Sequence, residues 1–397
     1  MRSSTTSPPS VQRALDDPRT LQPVGPLREE IGDRPSPSRS AAAPGGDLLA
    51  RLQQLVADRG LRQLSLRLAR LAGFIRDDLV DFERAFTSIA PPNDLAGQAA
   101  QHLLDRGGKR LRPLCVLLAA HVGRGVDARV RDLAVAVELV HNATLLHDDV
   151  VDDSQVRRGS STARAVYGNA AAIFAGDWVL IEALRRVHRA SIPGLELALF
   201  DPIDAMIHAE AEQLASRGQF RTDRAAYFRI IEGKTASVFE WAMRAGGLAG
   251  GLSASDVRHL EAYGLHLGVA FQAVDDLLDP TGSRSGIGKA LFTDLREGKM
   301  TYPLIVALER RPALREVFAQ IATASSAPIY GEDDSPVPED LRQHVLDALD
   351  ATGAIDACRT LARERAARAI DHLDALPDSR AQRALATIAD ALVNRDR

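Results

Sequence analysis

The sequence predicts an all-α protein, and three observations carry that expectation. Apolar residues recur at three- and four-residue spacing from Asp47 onward, almost without interruption. Clusters of Gly, Pro and Asp, such as Pro91-Pro92-Asn93-Asp94, punctuate the pattern as helix starts and stops. Alternating runs of Val, Ile and Thr, the mark of half-buried strands, are missing.

Residues 1–46 hold 8 of the 20 prolines, with many Ser and Arg and few large apolar side chains. Such a segment buries too little surface to offset its ordering entropy and reads as a disordered tail. A transit peptide would share the Arg and Ser, but Asp16, Asp17, Glu29 and Glu30 argue against one. Leu48, Leu49, Leu52 and Leu55 then mark one face of an extra helix within residues 47–73. Phe74, Leu79, Phe82 and Phe86 open a large helical domain expected over residues 74–397. The polar stretch Ala324–Glu339, with Pro328, Gly331, Pro336 and Pro338, reads as a loop between late helices. No internal repeat of solenoid length is visible.

Composition bounds the function. The 397 residues are 45% hydrophobic and 26% charged, enough to bury a large core. The net charge of −4 leaves no overall basic footprint for nucleic acid. Cys115 and Cys358 lie far apart in helical stretches, so neither a disulfide framework nor a thiolate metal site is expected. A reducing, cytoplasmic location fits. No apolar run approaches the ~18 residues of a membrane span, and no secretory signal is expected.

Two acidic clusters carry the chemistry. Leu146-His147-Asp148-Asp149-Val150-Val151-Asp152-Asp153 and Phe271-Gln272-Ala273-Val274-Asp275-Asp276-Leu277-Leu278-Asp279 share the pattern Asp-Asp-x-x-Asp. Each follows an apolar helical run. Asp148 and Asp152, like Asp275 and Asp279, stand one helical turn apart and repel. Something must offset them, and hard carboxylate oxygens favour magnesium shared with substrate phosphates. A solvated acidic helix end is the plain alternative for one cluster, and two copies make it a poor one. Basic groups complete the picture. Gly107-Gly108-Lys109-Arg110-Leu111-Arg112-Pro113 opens an apolar helix, where glycines and the helix start favour an anion. Arg157-Arg158-Gly159 is a second anion clamp; Lys234-Thr235 lies mid-chain in a helical segment, and Gly288-Lys289 and Gly298-Lys299 follow the second acidic cluster with Asp294 between them. Any one of them alone is an ordinary surface charge. Together with the acidic clusters they describe a site for two diphosphates.

These motifs, in this order, resemble those of the trans-isoprenyl diphosphate synthases, the polyprenyl synthetase family, and most closely its long-chain members. The resemblance covers most of the chain after residue 74, and includes Glu210 to Gln213 and Thr301 to Pro303. It implies an orthogonal helical bundle around a deep central cavity, usually a homodimer. It implies magnesium, roughly three ions per site, with isopentenyl diphosphate and an allylic diphosphate as substrates. By resemblance, Lys109, Arg112, His141 and Arg158 are the isopentenyl diphosphate ligands. Asp148, Asp152 and Asp275 are the metal ligands, with Asp149, Asp276 and Asp279 supporting. Arg157, Lys234, Thr235, Gln272, Lys289 and Lys299 hold the allylic diphosphate. The implied reaction is ionisation of the allylic substrate, attack by the isopentenyl double bond and loss of a proton. A peripheral membrane contact for product release is compatible with this scheme.

Departures from the family pattern are Ala209 for a common Gly, Asp153 for Glu, and Phe292 where Gly is frequent. Product length is expected to depend on residues before Asp148. Five residues rise ~7.5 Å along a helix, about the reach of a short prenyl tail, and the resemblance implies that bulky aromatics at the Ala143 position mark short-chain enzymes, with Thr144 beside it. Both are small here, so a long product is favoured over farnesyl or geranylgeranyl diphosphate. Phe174 or Trp178, deeper in the tunnel, is the alternative stop. A terpene cyclase would carry a different second metal motif and need no Lys109 and Arg112. A non-catalytic subunit would lose acidic residues that are present here.

Overall fold

The computed structural model describes residues 46–157, 159–281, 292–324 and 337–395. These form seventeen α-helices: α1 Gly46–Asp58, α2 Arg62–Thr87, α3 Leu95–Leu104, α4 Leu111–Val122, α5 Ala128–Val151, α6 Ala163–Tyr167, α7 Asn169–Ala190, α8 Phe200–Ser216, α9 Arg224–Ile231, α10 Ser237–Ala249, α11 Ala254–Thr281, α12 Thr293–Arg296, α13 Tyr302–Arg310, α14 Leu314–Ala324, α15 Glu339–Ala351, α16 Ala354–Leu373 and α17 Arg380–Val393. The expected disordered tail lies almost wholly outside the described residues, as do most of Ala324–Glu339, Arg158 and Lys289.

Three features differ from the sequence reading. Residues 47–73 hold α1 and the first half of α2, and residue 74 falls inside α2. The break comes at Gly60, whose φ of 72° ends the first helix. On α1 the buried face is Leu48, Leu49, Leu52 and Val56, with Leu55 exposed. After Leu52 a step of four to Val56, rather than of three to Leu55, continues that face. A two-stranded antiparallel hairpin, β1 Val156–Arg157 and β2 Ser160–Ser161, is the sole sheet among the described residues.

Helix starts follow local chemistry. Asp94 caps α3 by accepting from the Gly97 N–H, and Asp127 caps α5 by accepting from those of Arg129 and Val130. Helix α5 is buried nearly all round, from Val130 to Leu146, and packs along α7, with α4 and α10 also against it. Helix α11 is held between α10 and α16. Two apolar cores result, one around α2, α4, α5 and α7 and one around α13 to α16. The acidic ends of α5 and α11 lie at the margins of these cores. Both cysteines are free and buried, and no helix among the described residues is long and apolar enough to cross a membrane.

Candidate active site

Asp148, Asp149 and Asp152 occupy the last turn and C-cap of α5. The negative end of the helix dipole adds to their mutual repulsion, so cations must gather there, and they do. Lys234 Nζ lies 3.6 Å from Asp148, and Lys299 Nζ lies 2.9 Å from Asp152. Arg217 also pairs with Asp152, and Arg157 Nε donates to Asp149 at 2.7 Å. Burial alone would push the Asp152 carboxyl up, but Lys299, Arg217 and Lys234 hold it below the usual carboxylate range. Asp149 is fully buried, and burial keeps its carboxyl above that range despite Arg157. Lys299 is held charged by Glu297 and Asp152, which outweigh its burial.

The second cluster sits in the last two turns of α11. Asp275 accepts from Arg395 Nη2 at 2.6 Å and lies 3.9 Å from Lys109 Nζ. Asp276 is buried and accepts from the Tyr227 hydroxyl at 2.8 Å, from Gln272 Nε2 at 2.9 Å and from the Tyr302 N–H at 3.2 Å. Burial, and secondarily Asp294, push its carboxyl up to about 7. Asp279 accepts from the Thr293 N–H at 3.1 Å and so ties α12 to α11.

Between α9 and α10 the helix widens into one π-turn, Glu232–Ala236. It gives the adjacent Lys234 and Thr235 different partners. Lys234 pairs with Asp148 and Glu210 and donates to Gln213 Oε1 at 3.3 Å. The Thr235 hydroxyl donates to Gln272 Oε1 at 3.0 Å. This π-turn therefore joins the two acidic clusters. A cavity of about 390 Å³ opens here, lined in part by Gln213, Lys234, Thr235, Gln272, Asp276 and Lys299. A smaller pocket brings His141 beside Gly108 and Arg157. The Arg112 guanidinium lies 4.9 Å over the Phe239 ring, while Lys109 and Arg395 lie 5.5 and 4.6 Å from the Phe271 ring. Phe239 and Phe271 pack together at 5.6 Å, so one aromatic pair floors three cations.

Three contributors escaped the sequence reading. Arg217 reaches Asp152 because Gly218 and Gly298 stack backbone on backbone, with the Gly218 N–H donating to Gly298 O at 2.9 Å. Both have φ near 70° (69° and 71°), and a Cβ on Gly298 would meet the Gly218 nitrogen at 2.7 Å. Tyr227 and Arg395 are distant in sequence from the clusters they serve. Arg110, between Lys109 and Arg112, is structural: it is buried and bonds Glu83 at 3.0 Å and Glu138 at 2.8 Å. Ala143 is buried on α5, and Thr144 donates to His141 O at 2.8 Å. Phe174 is 61% exposed, so it does not close the interior of this chain.

A family model described as polyprenyl synthetase matches residues 93–328. The chain belongs to that family. Octaprenyl diphosphate synthase of Escherichia coli is 36% identical over 305 residues, 76% of this chain and 91% of the relative. A polyprenyl synthase from Caulobacter crescentus, solved in complex with calcium and isoprenyl diphosphate, superposes with a TM-score of 0.74 at 32% identity. That match covers 82% of this polyprenyl synthetase and 97% of the solved chain. A decaprenyl diphosphate synthase from Rhodobacter capsulatus gives 0.73 at 31% identity, covering 83% and 99%. The fold is the all-α isoprenoid synthase bundle, and the family's chemistry is prenyl transfer.

Proposed function

We propose that this polyprenyl synthetase condenses isopentenyl diphosphate with an allylic diphosphate to give a long-chain all-trans polyprenyl diphosphate. The observation that carries the reading is the π-turn that couples Asp148 to Gln272 and Asp276 through Lys234 and Thr235. Cations thereby link the two acidic helix ends beside a cavity that Lys234, Lys299 and Asp276 line, an arrangement that suits ionisation of a diphosphate.

The donor set fits magnesium. Each cluster offers one or two hard carboxylates rather than a closed cage, which suits an ion that keeps water and shares substrate phosphate. Asp148, Asp152 and Asp275 would hold it; all three are now paired to Lys or Arg, and those cations would turn to the diphosphate. When bound, magnesium supplies Lewis-acid stabilisation of the leaving pyrophosphate. Lys234, Lys299, Arg157 and Lys289 hold the allylic diphosphate while its C–O bond breaks. Fixed charge of this kind stabilises the developing anion without reorganisation. Lys109, Arg112, His141 and Arg158 hold isopentenyl diphosphate so that its double bond forms the new C–C bond. The proton then lost passes to the departing pyrophosphate. Small Ala143 and Thr144 leave room for a growing chain, and the long-chain relatives favour the same outcome. Ile207 and Leu214 on α8, with Phe174 and Ile181 on α7, are exposed at seven-residue spacing. We assign these stripes to a homodimer.

The test is incubation with labelled isopentenyl diphosphate, farnesyl or geranylgeranyl diphosphate and magnesium, with products sized by chromatography. Long polyprenyl products are expected, and the absence of any extended product would refute the reading.

A further inference from the structure

The family motifs leave the helix before residue 62 without a role. Its apolar face, Leu48, Leu49, Leu52 and Val56, is buried in the main core, and α1 rests on α2 and α17. Immediately after it, Arg59 Nη2 donates to the Arg395 carbonyl at 3.2 Å. Arg395 follows the C-terminal end of α17. Its side chain is 5% exposed and reaches inward to Asp275 and over the Phe271 ring, next to Lys109. It also donates to Phe271 O at 3.4 Å, and its Nε is buried without an acceptor. Backbone beyond the last turn of a helix lacks the helix's own hydrogen bonds and ordinarily frays. A guanidinium there loses side-chain and backbone entropy when fixed, and something must hold it. The neighbouring α2 helps from one side, since Arg67 pairs with Asp390 on α17 at 2.6 Å. The Arg395 N–H donates to Leu392 O at 3.4 Å, and among the side-chain contacts described it is Arg59 that holds the Arg395 carbonyl.

We propose that Arg59, at the end of the N-terminal helix, is a positioning residue for the reaction: it pins the C-terminal backbone so that Arg395 stays at the station shared by Asp275 and Lys109. The inference rests on the functional reading above. Arg59 touches no substrate. It acts by pre-organising a cation where isopentenyl diphosphate is bound, which lowers the cost of ordering that group on binding.

The experiment uses the full chain and four variants: R59M, R59K, R395A and R59M/R395A. R59M keeps the aliphatic stem and removes the donors, so packing is preserved. Two readouts are taken: the KM and kcat for isopentenyl diphosphate, and its dissociation constant by calorimetry without allylic primer, where no turnover occurs. Loss of one such hydrogen bond predicts a KM and Kd raised about fivefold in R59M, with kcat within about twofold of the parent. R59K is expected to restore both. The double variant is expected to match R395A alone, because Arg59 works through Arg395. Unchanged binding in R59M overturns the proposal, as does an R59M effect that persists undiminished in the R395A background. A general loss of folding would lower the thermal midpoint and kcat of R59M together, and that outcome also overturns it. If the parent chain itself condenses nothing, the failure lies with the functional reading instead.

Discussion

Phe292 shows two opposing effects at a single residue. Its φ is 62°, a left-handed conformation that suits the glycine often found at this place in the family. A bulky residue there carries strain of about 1–3 kcal/mol. Yet the ring is fully buried in the second core, and burying a Phe contributes about 1.5–3 kcal/mol, with truncation costing ~3–5 kcal/mol once the cavity is counted. Burial wins. Phe292→Gly is expected to lose about 2 kcal/mol net, seen as a lower thermal midpoint; an equal or higher midpoint would mean that strain dominates. His266 offers a second residue-level test. Its burial, then Arg365, His372 and Arg368, lower its imidazole pKa from the usual 6.5 to about 4, and its ring stacks on His372 at 5.7 Å. The folded state therefore resists a proton that the unfolded chain accepts. That contribution is complete above pH 6.5 and is lost as pH falls from there toward 4. His266→Gln should flatten the fall of the thermal midpoint over that interval, measured in the metal-free protein. An unaltered slope would assign the acid sensitivity elsewhere.

Among the elements, the π-turn Glu232–Ala236 depends on close approach to α8. A Cβ on Gly233 would meet the Ala205 carbonyl oxygen at 2.7 Å and the Ala209 methyl at 2.9 Å. Backbone on one side and a methyl on the other leave little to give. Gly233→Ala should push the turn off α8 and part Lys234 from Glu210 and Asp148. We expect kcat to fall at least tenfold, since misplacement of about 1 Å can cost a hundredfold. Retained kcat would show that the turn tolerates the shift. Helix α5 carries the matching prediction for product length. Ala143 is buried one turn or so before Asp148. Ala143→Phe is expected to shorten the product, sized by chromatography, at a stability cost of about 1–3 kcal/mol for overpacking. An unchanged length would remove Ala143 from the chain-length argument.

For the whole molecule, what the sequence revealed and what it hid follow from range. Helical class and both acidic ends were legible because periodicity and the Asp-Asp-x-x-Asp spacing are local signals. The aromatic floor of Phe239 and Phe271, the Tyr227 bond to Asp276 and the Arg395 pair with Asp275 were not, because each joins residues 32 to 120 positions apart. Arg110 and Arg112 looked alike in sequence, and only tertiary packing sends one to Glu83 and Glu138. The same limit applies at the surface, where periodicity marks a face but not what covers it. On α8, Phe200, Ile207 and Leu214 recur every seven residues and are all at least half exposed. On α7, Phe174 and Ile181 also stand seven residues apart, exposed at 61% and 46%. Large apolar stripes left in water are costly at about 25 cal/mol per Å², and a symmetric pairing would bury both copies at once. Light scattering of the purified chain should therefore give twice the mass of one polypeptide. Ile207→Lys, at 62% exposure, is tolerated by the single chain's packing but places like charges across such an interface. It is expected to shift the mass toward one polypeptide without lowering helix content. A parent chain that already runs as a monomer, or a variant that stays dimeric, would place the contact on some other face.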